Sequence, residues 1–280
     1  MPFFFSGVVE NLGSIPIAPM WRKIRSLRHL YMSDVVCSEP LKLDIWKLIS
    51  LAFVSIYDYA FENLGWMRKT GLNLLGIEDI DENANVSKLV ASLKKGDINH
   101  CSCLALRGFH FRCMPCLDEI GKIYMLPTLK LNRRLARLPK TQGGLYRVSD
   151  LVLVNTCLDE DPMPLLEELP KLKRLKLRNA YTGQEMVIKN NGFPKLCVLN
   201  INELWNLRNI LVGEGVMPKL EQLEIKNCPH LETLPKEIGS MKCLRKFKML
   251  TTRHIATKIK NSGLISKILE VDIGPLSSMA

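Results

Sequence analysis

Cys101-Ser102-Cys103 and Cys113-Met114-Pro115-Cys116, with His100 and His110 close by, are the residues whose types and spacing come nearest to a chemical centre. Structural zinc needs four converging ligands, commonly supplied as paired CxxC elements. Only Cys113 and Cys116 have that spacing, and Cys101 opens an apolar set, Cys101/Leu104/Leu106, that points it into a core. Buried free thiols are therefore expected rather than a zinc site. A redox reading of Cys113 and Cys116 lacks the strand–helix pattern of thioredoxins. A phosphate loop would cradle a nucleotide with the amides of G-x-x-x-x-G-K-[ST]. The one Gly-Lys pair, Gly121-Lys122, has no glycine five residues before its own glycine and is followed by Ile123. Neither G-x-S-x-G nor H-E-x-x-H occurs. Asp159-Glu160-Asp161, followed by Glu167-Glu168, reads as a solvated outer turn and helix start. The expectation is a protein with no catalytic residues, no cofactor and no metal.

The elements that would position any site are set by a repeat. In LxxLxL the last two apolar residues are two apart, so on a strand they share one face. The sets Val148/Leu151/Leu153, Leu172/Leu175/Leu177, Leu196/Leu199/Ile201, Leu220/Leu223/Ile225, Leu244/Phe247/Met249 and Ile268/Val271/Ile273 begin 24 residues apart throughout. Earlier sets are looser: Leu27/Leu30/Met32, Leu48/Leu51/Phe53, Leu72/Leu75/Ile77, Cys101/Leu104/Leu106 and Leu126/Leu129/Leu131, separated by 21, 24, 29 and 25 residues. The 29-residue unit contains DIDENANVSKLVASLKKGDINH, which predicts an extra outer helix. One unit cannot bury its own leucines and must stack on a neighbour. The fold expected is an α/β leucine-rich-repeat solenoid, a horseshoe of about eleven repeats of ~24 residues with a parallel inner sheet. Residues 1–20 match neither a repeat nor a polar cap, so the division expected is a non-repeat segment 1–20 and a repeat domain 21–280. Pro170, Pro194 and Pro218 stand two residues before three successive apolar sets, in the turn entering each strand.

Between the inward leucines lie the outward positions of the concave face. One turn presents Lys173, Arg174, Lys176 and Arg178, and the next presents Asn200 and Asn202. Glu221, Gln222, Glu224 and Lys226 follow, then Arg245, Lys246 and Lys248. This charged strip suits a protein partner selected by electrostatic complementarity, although exposed strand positions must in any case be polar. The formal net charge of +11 attracts acidic surfaces generally. Nucleic acid fits poorly, because stacking aromatics are scarce near the basic turns, where only Tyr181 and Trp205 follow their strands.

The start MPFFFSGVVE has no basic residue before its short apolar run and meets Glu10 quickly, unlike a secretory signal. The apolar stretch from Ile45 to Tyr57, with Lys47 and Asp58 at its edges, is too short to span a bilayer. Nine irregularly spaced cysteines suit free thiols in a reducing compartment, so a soluble cytoplasmic protein is expected. The single sequon, Asn85-Val86-Ser87, is close to chance frequency.

LRHLYM near Leu27, LPKLKRLKLRNA from Leu169 and MPKLEQLEIKNCPHLETLPKEIG from Met217 resemble the repeat region of plant intracellular immune receptors. The resemblance, over roughly 21–280, is to the coiled-coil class of nucleotide-binding, leucine-rich-repeat disease-resistance proteins, and CPHLETLP is its most specific element. Extracellular plant receptors carry asparagine in the turn and a Gly-x-Ile-Pro element. Here those turn slots hold Ala180, Leu204 and Cys228, and no GxIP lies inside the array. The resemblance implies a role in plant defence and innate immunity: a recognition arm that senses a pathogen effector or a modified host protein. It also implies a nucleotide-binding switch domain, own or separate, whose acidic patch the basic face could meet. No such domain is present in this chain. The alternative is a standalone intracellular repeat scaffold or a ubiquitin-ligase substrate adaptor.

Overall fold

The computed structural model describes residues 28–31, 48–57, 71–95, 101–123, 126–140 and 145–275. Segment 1–20, Leu27, Met32 and His100 lie outside them. The described residues form one eleven-stranded parallel sheet, to which each repeat contributes a strand. In chain order these are β1 (His29–Tyr31), β2 (Ser50–Ser55), β3 (Leu74–Ile80), β4 (Cys103–Gly108), β5 (Thr128–Asn132), β6 (Asp150–Val154) and β7 (Arg174–Arg178). After β8 (Glu185–Ile188) comes β9 (Val198–Asn202); after β10 (Asn209–Val212) come β11 (Gln222–Lys226), β12 (Lys246–Thr251) and β13 (Glu270–Pro275). Strands β8 and β10 pair with each other in a separate two-stranded sheet. At about 4.8 Å per strand the large sheet is some 50 Å long.

The register follows the 24-residue period. Leu151, Leu175, Leu199, Leu223 and Phe247 pair in one row, and Leu153, Leu177, Ile201, Ile225 and Met249 in the next. All ten are buried, each covered by the equivalent residue of its neighbours. Burying one such side chain contributes about 1.5–3 kcal/mol, so the stacking of repeats, rather than any single repeat, stabilises the array.

Each strand must then turn off the sheet, and the chain does so with left-handed residues. Asn155, Asn179, Glu203 and Asn227 follow β6, β7, β9 and β11 with φ of 53°, 46°, 55° and 55°. Asparagine tolerates this region better than most residues, which accounts for three of the four. Pro170, Pro194 and Pro218 sit in the turns that lead back to β7, β9 and β11, where no ladder donor is needed.

The outer wall is irregular. Helix α1 (Val86–Lys95) fills the long unit, as the sequence predicts. It buries Val86, Leu89, Val90 and Leu93 at helical spacing, and the Asn85 side chain accepts the amide of Lys88 at 2.8 Å as its N-cap. A short helix α2 (Met163–Leu166) and the 3-10 turns η1 (Asp118–Lys122), η2 (Leu145–Arg147) and η3 (Lys236–Ser240) span other repeats. Helix α3 (Arg253–Asn261) opens on Thr252, whose hydroxyl accepts the Ile255 amide, and packs against β12 and β13.

Three expectations need correction. Phe53 does not point inward. A bulge between Leu51 and Val54 gives Phe53 a φ of 62°, and Val54 takes the core position opposite Ile77. Val271 pairs with Phe247 at a core-facing position yet stays 40% exposed, because β13 has no described strand on its far side. The acidic stretch is only partly solvated. Asp161 is half-buried and accepts the amides of Met163 and Val187 at 3.0 and 2.7 Å. Glu167 is buried and accepts the amide of Lys189 at 2.8 Å. Along the open edge of β8, which no described strand of the preceding repeat reaches, these two carboxylates take the amides of Val187 and of Lys189 just past the strand's end.

Candidate partner-binding face

Outward positions on the large sheet line up in three columns, since the strands pair residue for residue. The entering column runs Thr128, Asp150, Arg174, Val198, Gln222, Lys246, Glu270. The middle column runs Lys130, Val152, Lys176, Asn200, Glu224, Lys248, Asp272, and the leaving column Asn132, Val154, Arg178, Asn202, Lys226, Leu250, Gly274. Arg174, Lys176, Arg178, Asn200, Asn202, Gln222, Glu224, Lys226, Lys246 and Lys248 thus share one face. Lys173, Glu221 and Arg245 precede their strands and are exposed at its entering edge.

Exposure and pairing divide this set. Asn202 is the departure: it is only 8% exposed, and its side-chain oxygen has no hydrogen-bond partner. The Arg178 guanidinium, opposite Asn202 in the register, reaches from β7 to Glu203 beyond the end of β9, at 2.9 and 3.0 Å. Arg174 pairs with Asp150, and Lys226 pairs with Glu224 at 2.8 Å. Lys246 and Lys248 each meet a carboxylate of the next strand, Glu270 and Asp272, both at 2.6 Å. The Lys248 ammonium in turn holds the Asp272 carboxyl below its ordinary range. Among the described residues, Lys173, Lys176 and Arg245 meet no carboxylate at ion-pair distance. Lys130 in the middle column likewise meets none, so the unpaired positive charge is spread over β5, β7 and the entering edges of β7 and β12, with two of its residues at β7.

Sequence reasoning missed the acidic partners Asp150, Glu203, Glu270 and Asp272. The signal was available, for Glu270 and Asp272 stand one period after Lys246 and Lys248. It also missed the character of β1–β4. There the floor is small and apolar: Gly76 pairs with Ala105 and lies close against Ala52 at the β2 bulge. Phe53 lies edge-on to Tyr31, with ring centroids 5.2 Å apart, and the Arg107 guanidinium stacks 3.8 Å over the Phe53 ring. Arg107 also bonds the buried carboxylate of Glu78 at 3.1 Å. Beyond these strands, Tyr57 donates to Asp81 at 2.8 Å, which draws the Asp81 carboxyl below its usual value. The turn Phe109–Arg112 is fully on the surface.

The cysteines do not assemble into a centre. Cys101 is buried, donates to the carbonyls of Asn73 and Cys103, and is pushed up to about 11 by burial. Cys228 behaves alike, burial raising its thiol to about 11. Cys116 is exposed and accepts a contact from Arg137 at 2.6 Å. Arg137 itself is held by both oxygens of Asp118, whose carboxyl it keeps well below the usual range. Among the described residues, no three His, Cys, Asp or Glu side chains converge as a metal site.

No family model matches the chain. Individual proteins do. A probable disease resistance protein RF9 from Arabidopsis thaliana is 32% identical over 194 residues, which cover 68% of this chain and 18% of that protein. The chain is a leucine-rich-repeat relative of plant disease-resistance proteins. The probable disease resistance protein RXW24L of the same plant is 40% identical over 62% of this chain and 19% of its own length. Disease resistance protein RPP8 is 28% identical over 68% of this chain and 21% of its own length. The chain thus spans about a fifth of the length of the curated relatives it matches. Among solved structures, an internalin from Listeria monocytogenes superposes with a TM-score of 0.49 at 15% identity, covering 89% of this chain and 68% of that one. No helix among the described residues is long and apolar enough to cross a membrane.

Proposed function

We propose that this chain is the recognition arm of an intracellular plant disease-resistance receptor and acts in the cytoplasm. Its repeat domain, residues 21–280, would bind a protein partner, a pathogen effector or a host protein altered by one, and perform no catalysis. The observation that carries the reading is the charge of Lys173, Lys176 and Arg245, unpaired on a face where Arg174, Arg178, Lys226, Lys246 and Lys248 each meet a carboxylate. Disease-resistance relatives supply the biological setting. Such a face selects an acidic protein surface and speeds its encounter, with affinity falling as salt rises. A switch domain presenting an acidic patch would compete for the same residues, so effector binding and release of that domain would be coupled.

The test is a direct binding screen of the chain against a panel of plant-pathogen effectors, repeated with Lys173→Glu/Lys176→Glu. Partners of the wild-type chain should lose about tenfold or more in affinity with the charge-reversed one, because like charges then face each other. Effectors that bind both chains equally well would remove the strip from the proposal.

A further inference from the structure

We propose that the turn Phe109–Arg112 is a second docking point, apolar at its tip, which takes an aromatic or leucine side chain of a protein segment flanked by carboxylates. This point is separate from the charged strip and needs none of its residues.

Four residues are inserted here. Leu106 pairs with Leu131, and Met114 bridges Leu135. Eight positions separate the first partner from the second on the β4 side and only four on the β5 side. The next pair of repeats needs no such excess, since Leu153 pairs with Leu177 and Leu158 bridges Tyr181. The additional length is not spent on packing. Phe109 is 44% exposed and Phe111 is 104% exposed, with the His110 ring between them at 6.5 and 6.1 Å. Phe111 also holds a φ of 61°, a region a phenylalanine adopts at a cost. The turn is closed by the Arg112 amide on the Phe109 carbonyl at 3.4 Å, but nothing in its repeat covers the Phe111 side chain that this strained backbone delivers to water. Inserted loops on a rigid scaffold are where binding residues concentrate, and aromatic anchors carry a disproportionate part of interface energy.

Charge on the two flanks sets the occupant. On the earlier side, Arg112 is already bound to Glu82 at 2.9 Å and to Asp81 at 3.6 Å. On the later side stand Arg133 and Arg134, for which no carboxylate lies within ion-pair reach among the described residues. Arg133 is held against the turn: a Cβ on Gly108 would lie 3.0 Å from that of Arg133, so glycine allows the approach. The Arg133 Nε is buried without a hydrogen-bond partner. An apolar anchor with carboxylates following it would cover Phe111 and reach Arg133 and Arg134. An anionic bilayer fits less well, because the same tip carries Asp81 and Glu82 beside it.

The test uses the full chain immobilised for selection from a displayed library of short random peptides, with one enriched peptide then synthesised and titrated by fluorescence polarisation. Enriched peptides should share a Leu, Phe or Trp beside two or more carboxylates. Binding should weaken at least about tenfold with Phe111→Ser and with Arg133→Glu, and be unchanged with Lys173→Glu/Lys176→Glu. Since Phe111 is fully exposed and its one ring contact is with the neighbouring exposed His110, its serine variant should melt with the wild type, separating lost contact from lost fold. Peptides that tolerate Phe111→Ser but fail with the lysine reversals would overturn this proposal and leave the strip standing. Selection of no such peptide also overturns it, and Phe111-dependent binding to phosphatidylserine vesicles in that case would assign the tip to a membrane.

Discussion

At the scale of single residues, the repeat is closed by a backbone requirement that side-chain chemistry then meets. Asn179 shows both parts. Its φ of 46° turns the chain off β7, and its amide donates to the Asn155 oxygen at 3.1 Å in the repeat before. Asn179→Ala should cost about 1 kcal/mol, because alanine keeps the Cβ but loses the polar side chain that eases asparagine into the left-handed region. Asn179→Gly should recover most of that, because glycine enters the region freely. Urea unfolding of the three proteins decides it: equal losses for alanine and glycine would put the weight on the Asn155 hydrogen bond instead. The same position explains an oddity at Glu203, which bears the strain of that conformation while pairing with Arg178. That pair is half exposed, so its ~0.2–1 kcal/mol offsets the strain only in part.

At the scale of elements, the LxxLxL period located the strands but was silent about what happens between them. Inward positions repeat because every repeat solves the same packing problem, and so Leu175, Leu199 and Leu223 could be read directly. Phe53 could not, since a bulge turns on one added residue and LxxLxF fits the pattern as well as LxxLxV. Nor could Asn202, buried opposite the Arg178 of the neighbouring strand, or Phe109 and Phe111, whose exposure depends on where an insertion leaves the stack. The acidic run misled for a related reason. Composition marks Asp161 and Glu167 as surface residues, yet the open edge of β8 requires acceptors for its amides. Glu167→Ala should therefore cost about 1–3 kcal/mol by removing the buried carboxylate that accepts the Lys189 amide. Glu167→Gln, which keeps an acceptor oxygen, should recover much of the loss. Matching melting curves for the alanine and glutamine variants would count against an edge-sealing role.

At the scale of the whole molecule, cohesion is nearest-neighbour, with no central core for all strands to share. Stability should then vary along the array instead of being lost in one step. Hydrogen exchange should be slower in β6, β7, β9, β11 and β12, each with a described strand on both sides, and faster in the edge strand β13, where Val271 is 40% exposed. Uniform protection from β6 to β13 would show that the array opens as one unit.

The separation of columns from core has one more consequence. Because the exposed outward side chains point to the face opposite the buried leucines, their identity is free to change while the strand beneath them stays the same. Lys248 opposite Asp272 and Lys246 opposite Glu270 are self-cancelling spellings; Lys176 between Val152 and Asn200 is an open one. A partner that alters its own surface can thus be followed by rewriting a single strand, one letter at a time, on a scaffold that never has to be refolded to accept the change.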